Sequence, residues 1–571
     1  MNGIIGSVGG QLFLENTDDS LLQYSLHINE YNFSVQLNTL HKFVNDKLLY
    51  EDERYAILLD GVIFNKQQLQ HSKSWSETVI DMYQRLGRTW FSDLRGSFYG
   101  CLVDKRNGKL YLFVDQVGDK PIYYCQVGTE LFFASEQFAL SYLLKTNHHS
   151  VSLNEGAAYC MLTYGYLLDD ISYVAGAYRL MAGYFLEYDM TNHHIEVCSY
   201  HQFAYKHLVE RTEADMLERI HSMFNRAIIL QIEKNAEYGY EDFSALSGGL
   251  DSRLTTCAIA SLKKDAEVTT FTYAPIGQID QKIAFRVAQR LPNARSIYYS
   301  TMSGKLLNDI DRSVRINDGM YAYYGTAVLL NMFDTIDKTS IGIVHSGQLG
   351  DAVIGSINHS NVIETLPYSS LNCITKRFHN KLLQYGVDVE AIGNKYGSRE
   401  LYSLHNRGLG GVIFGANKAF QSFAETYSPF YDVDFWDYCL SIPQELRKNH
   451  YLYDKYFMRY YGNFADISHN GDRVIGRIVY NAYADFMKRG TRYIQKLLHI
   501  HSKSISVTPL QQWESAAFVK QSLDEYYRQT METVNIPDDL KQDIAYQYFN
   551  GSALERNTAL TLLSVVKQLQ A

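Results

Sequence analysis

The sequence predicts two domains in series, of α+β and α/β class. A β-rich, layered domain runs to about residue 205, followed by a parallel sheet covered by helices on both faces with a helical C-terminal extension. Three observations predict this. Short apolar or alternating runs separated by turn residues fill the first two hundred positions. A strand–helix alternation then begins. Between one such strand and its helix lies a glycine-rich turn, Ser247-Gly248-Gly249-Leu250-Asp251-Ser252.

In the first domain (1–205) the strand-like runs fall at 55–59, 97–103, 109–114, 131–134 and 183–188. Turn signals such as Asp60-Gly61, Asn107-Gly108 and Val127-Gly128 part them. A helix is predicted over 76–86. In the second domain (206–571), Thr212-Glu213-Ala214-Asp215 has the form of a capping box. Met216, Ile220, Met223, Phe224, Ala227 and Leu230 then repeat at helical spacing. Strands are predicted at 243–246, 268–273, 296–299 and 341–345, with helices at 253–262 and 281–291. Strands and helices in alternation imply a parallel sheet covered on both faces. From about residue 352 the pattern is mostly helical. The join at 200–211 rests on this change of pattern.

A chain of 571 residues exceeds what one core usually serves, about 250–300 residues. Its 46% hydrophobic content supplies apolar material for more than one core. A net charge of −9 gives no general attraction for phosphate backbones, so nucleic acid is not an expected partner. The seven cysteines are scattered, with no paired spacing for zinc, and read as reduced buried thiols of a cytoplasmic protein. No signal peptide is expected, nor any apolar run of membrane-spanning length.

The chemistry centres on residues 247–252. Two glycines let the backbone turn tightly and approach a ligand. Free amides and the positive helix end face a phosphate there. Ser247 and Ser252 add hydroxyls, and Asp251 offers a hard oxygen to magnesium. The simpler alternative is a turn that merely caps a helix.

These six residues resemble the pyrophosphate-binding loop of the ATP pyrophosphatases. Further segments narrow the resemblance to the asparagine synthetase family. In the first domain these are Gly96-Ser97-Phe98-Tyr99-Gly100, the stretch from Asp115 through Lys120-Pro121-Ile122-Tyr123-Tyr124, and Phe133-Ala134-Ser135-Glu136. In the second they are Ser346-Gly347-Gln348-Leu349-Gly350-Asp351, Ser428-Pro429-Phe430-Tyr431-Asp432, Leu440-Ser441-Ile442-Pro443 and Lys455-Tyr456-Phe457-Met458-Arg459. The resemblance spans about residues 1–465.

It implies an N-terminal Ntn-hydrolase-like αββα sandwich of the type 2 glutamine amidotransferases. It also implies a C-terminal sheet like that of the adenine nucleotide alpha-hydrolases. By the same resemblance Leu246, Tyr273, Ser346 and Gly347 contact the adenosine part of ATP, and residues 247–252 hold the phosphates. Asp251 and Asp351 bind Mg2+, Lys455 stabilises the departing pyrophosphate, and Gln348 stands beside the acceptor. Asp280 and Lys282 are candidates for the nucleotide's surroundings.

The sequence departs from the family at chemically decisive places. The family begins Met-Cys-Gly-Ile, and its cysteine attacks glutamine; here the residues are Met1-Asn2-Gly3-Ile4. An Asn-Gly-Glu motif is replaced by Asp60-Gly61-Val62, and no arginine for the glutamine carboxylate stands near 41–48. The first domain is therefore expected to be inert as a glutaminase. Gln348 replaces a glutamate, and Ala352 the acid after Asp351. Glutamine hydrogen-bonds but takes no proton.

The expected activity is ATP-dependent, AMP-forming amide synthesis on a small-molecule or peptide carboxylate, with ammonia or an amine as acceptor. Polysaccharide or natural-product biosynthesis is the expected setting. The alternative is a catalytically impaired nucleotide-binding or scaffold protein. A homodimer or a partner protein is allowed, and no membrane is involved.

Overall fold

The computed structural model describes residues 3–12, 21–71, 73–209, 212–302, 304–355, 363–467 and 509–571. Asn2 lies outside them. Two six-stranded antiparallel sheets form the N-terminal domain. In spatial order the first holds β10 (Ala177–Arg179), β8 (Tyr123–Val127), β9 (Glu130–Ala134), β1 (Gly3–Val8), β3 (Phe33–Leu40) and β2 (Leu21–Ile28). The second holds β12 (His194–Ser199), β11 (Tyr184–Asp189), β7 (Lys109–Val114), β6 (Gly96–Asp104), β5 (Tyr55–Ile63) and β4 (Leu48–Glu51).

Side-chain alternation decides the layering. Ile4, Val35 and Phe133 of the first sheet meet Leu58, Cys101 and Leu112 of the second in one core. On the far side of the second sheet, Ile57 and Leu59 pack against Trp75 and Val79 of helix Trp75–Leu86. On the far side of the first, Ile5 and Phe132 join a core with Phe138 and Leu143 of helix Gln137–Thr146. The result is the expected αββα sandwich. Because both faces of the central strands are covered, β5 and β6 are buried along their whole length.

The C-terminal domain carries a five-stranded sheet in the order β15 (Ala294–Ser300), β14 (Val268–Ala274), β13 (Glu241–Ala245), β16 (Ile341–His345) and β17 (Glu425–Tyr427). Every pairing in it is parallel. Phe243, Phe271 and Val344 pack beneath Leu329 and Phe333 of helix Tyr324–Phe333 and Phe420 of helix Ile413–Gln421. Ile343 lies in the other core with Ile220 and Phe224 of helix Glu213–Glu237 and Leu254 of helix Leu250–Leu262. The capping box expected at residue 212 is half formed. Thr212 accepts the Asp215 amide at 3.2 Å, but the Asp215 carboxylate takes the Thr212 hydroxyl at 2.6 Å instead of reaching back to the backbone.

The two domains share buried contacts. Phe203 stacks on Trp436 with ring centroids 4.1 Å apart. Asp46 receives Lys234 at 3.2 Å and the Tyr238 hydroxyl at 3.0 Å. Lys120 pairs with Glu425 of β17 at 3.0 Å. Asp318 caps helix Gln137–Thr146, accepting the Gln137 amide at 2.7 Å. The last helix, Ala553–Gln570, touches both domains: its Leu569 carbonyl accepts Lys145, and its Thr561 hydroxyl accepts the Tyr323 amide.

Among the described residues no helix is long and apolar enough to cross a membrane. All seven cysteines are free thiols, five of them buried and Cys198 and Cys373 half-buried.

Candidate active site

The site forms at the carboxyl ends of β13, β14 and β16, where open parallel sheets place their ligands. The chain leaves β13 through Leu246, whose amide donates to Phe271 and whose carbonyl accepts the Thr272 hydroxyl at 2.7 Å. It then turns through Ser247 to Gly249 into helix Leu250–Leu262. Gly249 is that helix's N-cap and, lacking a side chain, gives it no capping hydrogen bond. The first-turn amides therefore have no side-chain cap, the condition under which a helix start holds an anion.

Within the turn, side chains order the backbone. Ser252 Oγ accepts the Ser247 amide at 3.0 Å, and Ser247 Oγ accepts the Gly249 amide at 3.1 Å. Asp280 Oδ1 accepts the Gly248 amide at 2.9 Å. Asp280 is thus part of the turn, at the start of helix Ile279–Ala288.

The turn after β16 closes on this one. A Cβ at Gly347 would lie 2.4 Å from the Ser252 amide nitrogen, so only glycine lets the two backbones approach so closely. The approach brings the Asp351 amide to 3.1 Å from Asp251 Oδ2. Tyr453 donates to Asp251 Oδ1 at 2.7 Å. Burial, and after it the Asp351 carboxylate, push the Asp251 carboxyl up to about 8. Asp351 itself is exposed.

The structure brings Leu246, residues 247–252, Tyr273, Ser346, Gly347 and Asp351 to one edge of the sheet. Tyr273 is at the end of β14, and Ser346 follows β16 with its amide on Tyr427. Gln348 also belongs to this turn; its Oε1 accepts the Tyr431 hydroxyl and its carbonyl accepts Ser428 Oγ at 3.0 Å. Lys455 is turned elsewhere. On helix Tyr451–Tyr461 it follows Tyr453 by two positions, about 200° around the axis. Tyr453 faces Asp251, while the Lys455 ammonium pairs with Glu213 at 2.7 Å and lies over the Tyr451 ring.

Sequence reasoning missed three supports. Tyr453 orients Asp251 across 202 positions, which no local pattern signals. Arg253, fully buried, donates from one end to the Gly248 carbonyl at 3.2 Å and from the other to the Ile467 carbonyl at 3.0 Å. Its place directly after the hexapeptide was the available clue. Glu213, in the first turn of its helix, restrains Lys455.

In the N-terminal domain, Asp60 is buried beside Lys47 at 3.4 Å and Lys120 at 4.0 Å and accepts Thr39 Oγ1 at 2.7 Å. Burial pushes its carboxyl up, but the two ammonium groups outweigh burial and hold it below the usual range. Asp115 accepts the Val117 and Gly118 amides at 2.7 Å each. That landmark is a turn brace.

A model of the glutamine amidotransferase domain matches residues 39–201, and a model of asparagine synthase matches residues 219–394. The putative asparagine synthetase [glutamine-hydrolyzing] 2 of Methanocaldococcus jannaschii is 22% identical over 63% of this chain and 71% of its own length. The probable asparagine synthetase [glutamine-hydrolyzing] of Acanthamoeba polyphaga mimivirus is 24% identical over 69% of this chain and 66% of its own. Asparagine synthetase [glutamine-hydrolyzing] 2 of Bacillus subtilis is 24% identical over 44% of this chain and 35% of its own. An αββα sandwich followed by a parallel nucleotide-type sheet, each matching its own family model in the same order, makes this chain a member of the asparagine synthetase family of ATP-dependent ligases.

Proposed function

We propose that this protein adenylates a carboxylate with ATP and passes the acyl group to ammonia or an amine, releasing AMP and pyrophosphate, without hydrolysing glutamine. The observation that carries the reading is the meeting of Asp251 and Asp351 over a helix start that lacks a side-chain cap. Burial first, and the Asp351 carboxylate after it, raise the Asp251 carboxyl. Among the described residues no third acid or histidine joins them. A two-carboxylate donor set fits Mg2+, which fills its octahedron with phosphate oxygens and water. Held by Asp251 and Asp351, the ion supplies charge neutralisation to the leaving pyrophosphate.

The chain's own groups do the rest. The turn amides and the first helical amides of 250–252 bind the phosphates, and Tyr453 fixes the Asp251 rotamer. Gln348, bonded to Tyr431, accepts no proton, so the attacking amine arrives neutral. Lys455 reaches pyrophosphate only by leaving Glu213 and swinging round to the Tyr453 side of its helix.

Asp60 in its cage of Lys47 and Lys120 supports the loss of glutaminase. A carboxylate there opposes an oxyanion, and its neighbours are already committed to it.

The test is carboxylate-dependent ATP–pyrophosphate exchange across a panel of acids. Exchange abolished by Asp251→Ala and lowered by Lys455→Met, each about 100-fold or more, supports the reading. The tethering of Gln348 and Lys455 favours a second reading, a nucleotide-binding scaffold. Tight ATP binding with no exchange on any acid, in wild type and in Glu213→Gln alike, selects it.

A further inference from the structure

A cavity of about 500 Å³ opens where the two domains meet, lined by Tyr164, Tyr166, Tyr321, Tyr324, Asn372 and Arg407 among others. Five stretches of chain build it, at 164–166, 321–324, 372–374, 407 and 552–554. Tyr164 ends helix Glu155–Tyr164, and Gly165 carries the chain left-handed into Tyr166. Tyr166 pairs backbone to backbone with Tyr321, fastening the N-terminal domain to the loop before helix Tyr324–Phe333. Arg407 comes from the π-helical segment Leu404–Val412, a rare backbone form that recurs at functional sites. A Cβ at Gly411 would lie 2.8 Å from the Tyr166 ring, so this segment lies directly against that tyrosine.

Two features show a site built for a ligand. Tyr166 lines the cavity, and its hydroxyl is buried with no hydrogen-bond partner. A buried hydroxyl left unmatched costs about 1–3 kcal/mol, which a ligand atom recovers. Arg407 is exposed, and among the described residues no carboxylate pairs with it; its one hydrogen bond, at 3.3 Å, goes to the neutral Asn372 side chain. An arginine open to solvent in a concave site is matched to a carboxylate or phosphate.

The cavity adjoins the nucleotide site. Gly408, the residue after Arg407, approaches the Leu349 side chain in the turn that carries Ser346 and Asp351.

We infer that this inter-domain cavity binds the acyl substrate, a small organic acid with a hydroxylated body. In it Arg407 takes the carboxylate, and the tyrosine hydroxyls, Tyr166 first, take the oxygens of the body. The inference rests on the proposed adenylation for its purpose, but not for its test. Binding is measured calorimetrically on the full chain without ATP, using D-glucuronate, its neutral counterpart D-glucose, and succinate, a carboxylate without hydroxyls. The expected result is glucuronate binding at least tenfold tighter than either control. Arg407→Gln is expected to weaken glucuronate at least tenfold and Tyr166→Phe about threefold, while ATP affinity stays within twofold.

Failure of wild type to bind glucuronate, or equal binding by Arg407→Gln, overturns the assignment. Because no ATP is present, glucuronate binding without pyrophosphate exchange on any acid upholds the cavity and removes the adenylation reading. Exchange on an acid that Arg407→Gln leaves untouched does the reverse.

Discussion

The Asp251–Asp351 pair makes a quantitative prediction about protons. With its carboxyl pushed up to about 8, Asp251 is about 90% protonated at pH 7. A cation that binds the carboxylate must displace that proton, at a cost of about 1.4 kcal/mol at pH 7 and about 2.7 kcal/mol at pH 6. Binding of magnesium with a non-cleavable α,β-methylene ATP analogue therefore releases about 0.9 proton at pH 7. The affinity rises about ninefold from pH 6 to 7, about fivefold from pH 7 to 8, and levels off above. The sign for stability is opposite. A carboxyl whose folded value exceeds its unfolded one stabilises the fold at low pH, and that contribution fades as pH rises towards about 8. Calorimetry in two buffers of different ionisation enthalpy counts the protons. In Asp251→Asn the release falls to near zero and affinity drops. Release below about 0.2 proton in wild type, or equal release in Asp251→Asn, refutes the raised Asp251 carboxyl.

Three further outcomes follow from the same structure. Glu425→Gln leaves the buried Lys120 short of its nearest counter-charge and costs about 3–5 kcal/mol, whereas Lys120→Met with Glu425→Leu recovers most of it; denaturant unfolding compares them. Asn2→Cys is expected to give no glutamate release from glutamine, because Asp60 and its lysines stay in place; measurable release would show that the cage does not block that chemistry. Asp242 is held down at about 2: burial opposes ionisation, but His345 at 2.8 Å and then Lys263 outweigh it. Its contribution, about 2 kcal/mol, is present above about pH 4 and lost as pH falls towards 2; Asp242→Asn removes that part of the acid transition.

The elements legible in the sequence are those whose signals are local. Residues 109–114 and 341–345 form strands with the expected bounds, since turn residues or a change of polarity close each run. The hexapeptide was legible because one turn needs glycines, hydroxyls and an acid together. The short strand Glu425–Tyr427 was not, because three residues carry no period and its place comes from pairing with β16. Position 455 shows the limit of a motif. The landmark locates the helix, but the rotation of that helix, set by Tyr453 on Asp251, decides which side chain faces the turn. The Arg407 cavity was invisible because its walls come from five distant stretches of chain.

The N-terminal sandwich supports the second domain for a physical reason. β17 is the edge strand beside β16, and β16 launches the turn that bears Ser346, Gly347 and Asp351. Glu425 on β17 is buried against Lys120 of the N-terminal domain, and Gln421, just before β17, donates to Asp119 at 3.2 Å. Removing the sandwich would strand a buried carboxylate at that edge and expose Trp436 by taking away Phe203. An unpaired buried charge costs several kcal/mol, more than most single contacts supply. It would act on the strand next to the one that sets the Asp251–Asp351 approach. The sandwich is thus part of the scaffold of the candidate site, and its core is constrained by that role.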